Sequence, residues 1–106
     1  MKTLPAAFAV GCAARSPQAK PPLPSRDGLV TLHTSVERSH RATAYGCVIV
    51  EVRDRSGQTL YRQNSHASGF QRWDIAWIAN DEFKLTSSDI GPSTWTRQPD
   101  GTWNWH

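Results

Sequence analysis

Cysteine is scarce in this chain. Cys12 and Cys47 are its two thiols, and neither belongs to a CxxC pair or to a run with metal-ligand spacing. That excludes a scaffold stapled by several disulfides and a cysteine-rich zinc module. Four histidines, His33, His40, His66 and His106, fall in no HxH, HxxxH or HExxH pattern, so the zinc chemistry those spacings serve has no sequence basis. There is no GxSxG elbow, no glycine-rich phosphate loop and no calcium-loop pattern. No uninterrupted apolar stretch approaches the roughly 20 residues of a membrane-crossing helix.

A basic folded surface is also lacking. The formal charge of the chain is +3, and residues 1–27 carry all of it, with Lys2, Arg15, Lys20 and Arg26 against Asp27. From Gly28 onward the acidic and basic side chains balance. A nucleic-acid binder concentrates positive charge on its folded face, so no nucleic-acid partner is expected. No cofactor is expected either.

The first residues are an address. Lys2 supplies a positive start, residues 4–10 (Leu-Pro-Ala-Ala-Phe-Ala-Val) a short apolar run, and Ala9-Val10-Gly11-Cys12 places small residues just before a cysteine. This order resembles the lipobox of bacterial lipoproteins. The resemblance covers residues 1–27 and implies a signal peptide over 1–11, lipid attachment at Cys12, and a periplasm-facing domain anchored to the cell envelope through that lipid. Residues 12–27 follow as a linker rich in proline, with one large aliphatic side chain and no aromatic. Such a segment buries too little apolar surface to offset the entropy of ordering it, and is expected to stay solvated. The alternatives are an ordinary cleaved signal peptide and a cytoplasmic protein with a plain disordered start.

The part from Gly28 to the end reads as all-β, a small antiparallel meander, sandwich-like or propeller-blade-like, of about seven short strands at the 8–12-residue spacing such folds show. Residues 29–36 alternate, with Val30, Leu32 and Val36 on one side. Residues 44–53 form the strongest strand, with Val48, Val50 and Val52 on one face and Tyr45, Cys47 and Ile49 on the other, the pattern of a central strand. Asp54-Arg55-Ser56-Gly57 turns the chain into residues 59–63, and 64–70 read as a loop. Trp73, Ile75 and Trp77 alternate, Asn80-Asp81 turns, and Phe83 and Leu85 point back inward. Ser88-Asp89-Ile90-Gly91-Pro92 and Pro99-Asp100-Gly101 mark the turns around residues 93–97, and 102–105 form the last strand. With Trp73-Asp74, Asn80-Asp81 and Asp100-Gly101-Thr102-Trp103, the last four strands resemble one β-propeller blade, which implies a four-stranded meander and no closed ring. A domain this small buries only about 60% of its unfolded surface. Its five tryptophans supply large buried areas where a small core needs them.

Candidate chemistry is sparse. Ser88, His66 and Asp89 assemble a hydrolase triad on paper, but an adjacent Ser-Asp pair is the ordinary composition of a turn. Cys47, in an apolar strand, is expected to be a buried inert thiol. Trp73, Trp77 and Phe83 are expected in the core, with Trp103 and Trp105 on a shared inward face. Trp95, flanked by Thr94, Thr96 and Arg97, is expected at an exposed edge, where an indole could stack on a sugar ring. The sequence thus points to a non-enzymatic, envelope-anchored binding or structural domain whose partner, protein or glycan, is unspecified. The alternatives are a soluble intracellular interaction protein of the immunity type, and a carbohydrate-binding module using Trp95.

Overall fold

A computed structural model describes residues 20–37 and 46–106. Among them lie eight strands: β1 (Leu23–Pro24), β2 (Val30–Glu37), β3 (Cys47–Asp54), β4 (Thr59–Ser68), β5 (Trp73–Ala79), β6 (Glu82–Ser87), β7 (Gly91–Arg97) and β8 (Trp103–Trp105). They form two four-stranded antiparallel sheets, β1-β2-β3-β4 and β5-β6-β7-β8, each a meander in chain order. The fold is therefore the small all-β antiparallel sandwich that the strand and turn pattern predicts. The second sheet is the four-stranded meander implied by the blade resemblance.

Alternation builds the core. On the first sheet Val30, Leu32, Val48, Val50, Val52 and Ala67 share the inner face. They pack on Trp73, Ile75, Phe83, Leu85 and Trp95 of the second sheet in one continuous cluster. β3 is central, as expected, flanked by β2 and β4. Its Ile49 points away from that cluster and is still only 3% exposed. The sheets are also stitched at both ends by main-chain donors. Asp27 N–H donates to Asn80 Oδ1 at 2.9 Å, and Ser68 N–H donates to Asp89 Oδ2 at 2.9 Å.

Two boundaries differ from the sequence expectation. Composition puts the linker at 12–27 and the domain at 28–106, yet Lys20 to Asp27 belong to the fold. Leu23 and Pro24 pair with Leu32 and Thr31. Ser25 is buried; its N–H donates to the Val30 carbonyl, and its hydroxyl accepts from Val30 N–H and donates to Asp27 Oδ1 at 2.7 Å. Trp77 Nε1–H donates to Leu23 O at 2.8 Å, and the Lys20 ammonium sits 4.8 Å from the Trp73 ring centroid. Proline content argued for a solvated tail. However, proline is tolerated in an edge strand, where no ladder donor is needed, and an indole N–H on the facing sheet supplied a partner for the carbonyl.

The second difference is the predicted loop at 64–70. β4 continues to Ser68 through a register shift against β3 between Cys47 and Ile49. Asn64 Oδ1 accepts from His66 N–H, Ser65 Oγ donates to the Val48 carbonyl, and His66 takes φ 65°. Polar side chains that read as loop composition instead hold a bulge, which keeps the strand paired while turning its side chains. Beyond it, Gly69 crosses so close to Val36 that a Cβ there would lie 2.5 Å from both Val36 methyls.

Candidate functional site

The feature that dominates the inner layer is a row of rings. The register pairs Trp77 with Phe83, Phe83 with Trp95, and Trp95 with Trp105, so direct cross-strand neighbours on one face are all aromatic. Phe83 and Trp95 stack with centroids 5.0 Å apart and planes at 11°, and Trp95 and Trp105 stack at 5.6 Å and 7°. Trp77 meets Phe83 edge-on at 5.4 Å. The facing sheet closes the row, with His66 stacked on Trp105 at 5.8 Å and Tyr61 tilted against Trp103 at 5.9 Å. Such pairs contribute about 0.5–1.5 kcal/mol each beyond the area they bury.

Trp95 is consequently not an edge contact for a ligand. It is 0% exposed, at the middle of the stack, and the sugar-stacking role expected of it is withdrawn. The polar flanks Thr94 and Thr96 misled because they occupy the opposite, outward face, which is what period-2 alternation gives on either side of a buried residue. Its Nε1–H meets no acceptor in hydrogen-bonding geometry, although the Tyr61 hydroxyl is near enough to feel it. Burial raises the Tyr61 pKa above its ordinary value. Trp105 is the most exposed indole, at 37%, and it stacks on both Trp95 and His66. The row was legible in principle: reflecting the chain about Asn80, Asp89 and Asp100 superposes Trp77, Phe83, Trp95 and Trp105.

The paper triad does not assemble. Asp89 is a turn clamp, accepting from Ser68 N–H and from the Ser87 hydroxyl, while Ser88 N–H donates to the Arg72 carbonyl. Burial pushes the Asp89 pKa up, but these hydrogen bonds outweigh it and hold the carboxyl below the usual range. His66 is on the aromatic row instead. Asp54 and Asp100 clamp their own turns in the same way, Asp54 to Ser56 and Gln58 and Asp100 to Thr102.

A polar network lies on the outer face of the first sheet. Arg53 donates to both oxygens of Glu51, at 3.1 and 3.2 Å, and the Thr59 hydroxyl donates to the same carboxylate. These bonds hold the Glu51 pKa down at about 2. Arg62 pairs with Glu37. His33 lies opposite Glu51 across the ladder, and burial, followed by the Arg53 charge, lowers its pKa. Cys47 is a half-buried free thiol, less buried than the strand pattern predicts, since it begins β3 beside Glu37. His106 continues the β7 pairing through Thr94. Among the described residues no cluster of three or more His, Cys, Asp or Glu could hold a metal ion. Cys12, the expected lipid attachment site, and His40 lie outside the described residues.

Comparison with protein-family models, with curated proteins and with solved structures finds no match to this chain.

Proposed function

We propose that this chain is a small non-catalytic binding or structural domain held at the bacterial cell envelope by a lipid on Cys12. The observation that carries the reading is the order of Lys2, the apolar residues 4–10, and Ala9-Val10-Gly11-Cys12. With Lys20 packed on Trp73, the spacer between the anchor and the fold is residues 13–19. A tether from Cys12 to Lys20 then spans at most about 25–30 Å when fully extended. The sandwich stands close to the bilayer, and acyl chains supply the membrane affinity. The non-catalytic part rests on how the reactive side chains are used: Asp89, Asp54 and Asp100 are consumed in holding turns, and Glu51 in an ion pair.

Metabolic labelling with a palmitate analogue tests the reading, comparing wild type with Cys12→Ala. Labelled wild type in the membrane fraction, with an unlabelled and soluble Cys12→Ala variant, is the expected result. A soluble wild type that keeps Met1 overturns the envelope reading and leaves the intracellular interaction protein in its place.

A further inference from the structure

Two sheets of four strands leave four edges among the described residues: β1, β4, β5 and β8. Three of them carry a device that discourages a further strand from adding. β1 is two residues long and contains Pro24. β4 is broken by two register shifts and passes through His66 at φ 65°. β5 is irregular between Trp77 and Ala79, and its Trp77 reaches across to the Leu23 carbonyl. β8 is also short, at three residues, but its main-chain bonds to β7 extend from Thr102 to His106, and it has no proline, register shift or positive-φ residue. Its ladder with β7 runs in unbroken register, and residues 102–106 contain no Lys, Arg, Asp, Glu, Pro or Gly.

The main chain shows what the free side of β8 offers. Thr94 and His106 exchange both bonds, and Gln98 N–H donates to the Thr102 carbonyl. In an antiparallel ladder bonded pairs alternate with unbonded ones. Thr96 with Asn104 is therefore bonded, and Trp103 and Trp105 turn their N–H and C=O groups away from β7. Arg97 agrees with this phase, since its N–H donates to Asp81 O on the other side of β7.

We propose that the β8 edge pairs antiparallel with the β8 edge of a second copy, about a two-fold axis through Asn104. In that register Trp103 of each copy exchanges both main-chain bonds with Trp105 of the other. Asn104 lies opposite itself on the exposed outer face, where close pairs have Cα atoms about 4.5 Å apart. A second copy fits this edge because the strand is uncharged and hence free of like-charge repulsion against itself. It also bears no charge pattern that would select a foreign strand. His66 already covers the ring of Trp105, so the pairing is carried chiefly by main-chain bonds. The interface is small, in the transient class below about 1,200 Å².

The test is sedimentation equilibrium on the full chain carrying Cys12→Ala, under reducing conditions, from about 10 μM to about 1 mM, the range where weak association reads out. Wild type at position 104 should rise from 11.8 kDa toward twice that mass. Asn104→Lys and Asn104→Asp, each on a solvent-facing side chain, should each weaken the association by up to about fivefold because they place like charges across the axis. An equimolar mixture of the two should recover the association, since opposite charges then face each other. Circular dichroism of each variant verifies that the fold is kept. A wild type that stays monomeric overturns the proposal. So does association undiminished in Asn104→Lys alone, and so does a mixture that associates no more tightly than either variant by itself.

Discussion

Replacing Trp95 by alanine and by phenylalanine separates two properties of one buried ring. Trp95 is fully enclosed, stacked on Phe83 and Trp105. Truncation to alanine deletes both contacts and leaves a void between three strands, at a cost of about 3–5 kcal/mol. That is much of the roughly 5–15 kcal/mol a native domain has to lose. Phenylalanine keeps the ring in the stack and removes the indole N–H, which is buried without an acceptor in good geometry. Losing the five-membered portion costs about 1–2 kcal/mol, and relieving an unpaired donor returns about 1–3 kcal/mol. Trp95→Phe is therefore expected within about 1 kcal/mol of wild type. Equilibrium urea unfolding, followed by far-ultraviolet circular dichroism so that the lost fluorophore does not matter, measures both. If Trp95→Ala costs less than about 1 kcal/mol, the residue is not the centre of the core. If Trp95→Phe is as damaging as Trp95→Ala, the indole N–H is satisfied and the assignment of an unpaired donor is wrong.

Trp77→Phe keeps a ring on Phe83 but loses the bond to the Leu23 carbonyl, so it should cost about 0.5–1.5 kcal/mol and speed exchange of the neighbouring Ser25 amide, which donates to the Val30 carbonyl. Unchanged exchange would mean that β1 is held by other contacts. A chain beginning at Gly28 should be less stable than one beginning at Lys20 by more than about 2 kcal/mol, because it loses β1, the buried Ser25 and the cover on Trp73. Equal unfolding midpoints would return these residues to the linker. Gly69→Ala should destabilise by about 1–3 kcal/mol, since its Cβ meets the methyls of Val36. A paired Val36→Ala substitution should recover part of that loss if the clash is the cause. Stability should fall on acidification in two stages. The folded pKa of His33 lies below its unfolded value, so its contribution is present above pH about 6.5 and declines as pH falls through that value. Glu51, held at about 2, contributes above its unfolded pKa of about 4.5, and that contribution is lost between there and about pH 2. Glu51→Gln should shrink the lower stage to what Asp27, Asp54, Asp89 and Asp100 contribute, since hydrogen bonds hold these carboxyls below the usual range too, and a profile unchanged by it would place the acid sensitivity in those groups.

The all-β class, the turns at 54–57, 80–81, 88–92 and 99–101, and the inward sets of β2, β3, β5 and β6 follow from local chemistry. Alternation and turn residues act over a few positions, so a single strand reveals which side chains share a face. What alternation cannot give is which face of which strand meets another. Trp95 sits between two threonines; the turns align it with Phe83 and Trp105, but its burial depends on the first sheet covering that face. Leu23 and Pro24 lie in a run whose composition argues for solvation, and they join the fold because Trp77, 54 residues away, donates to the Leu23 carbonyl. His66 ends the aromatic row because β4 lies across from β8. Each of these placements joins groups far apart in the chain. Local sequence encodes the capacity of a residue to be buried or bonded, and the packing of the two sheets decides which of those capacities are used.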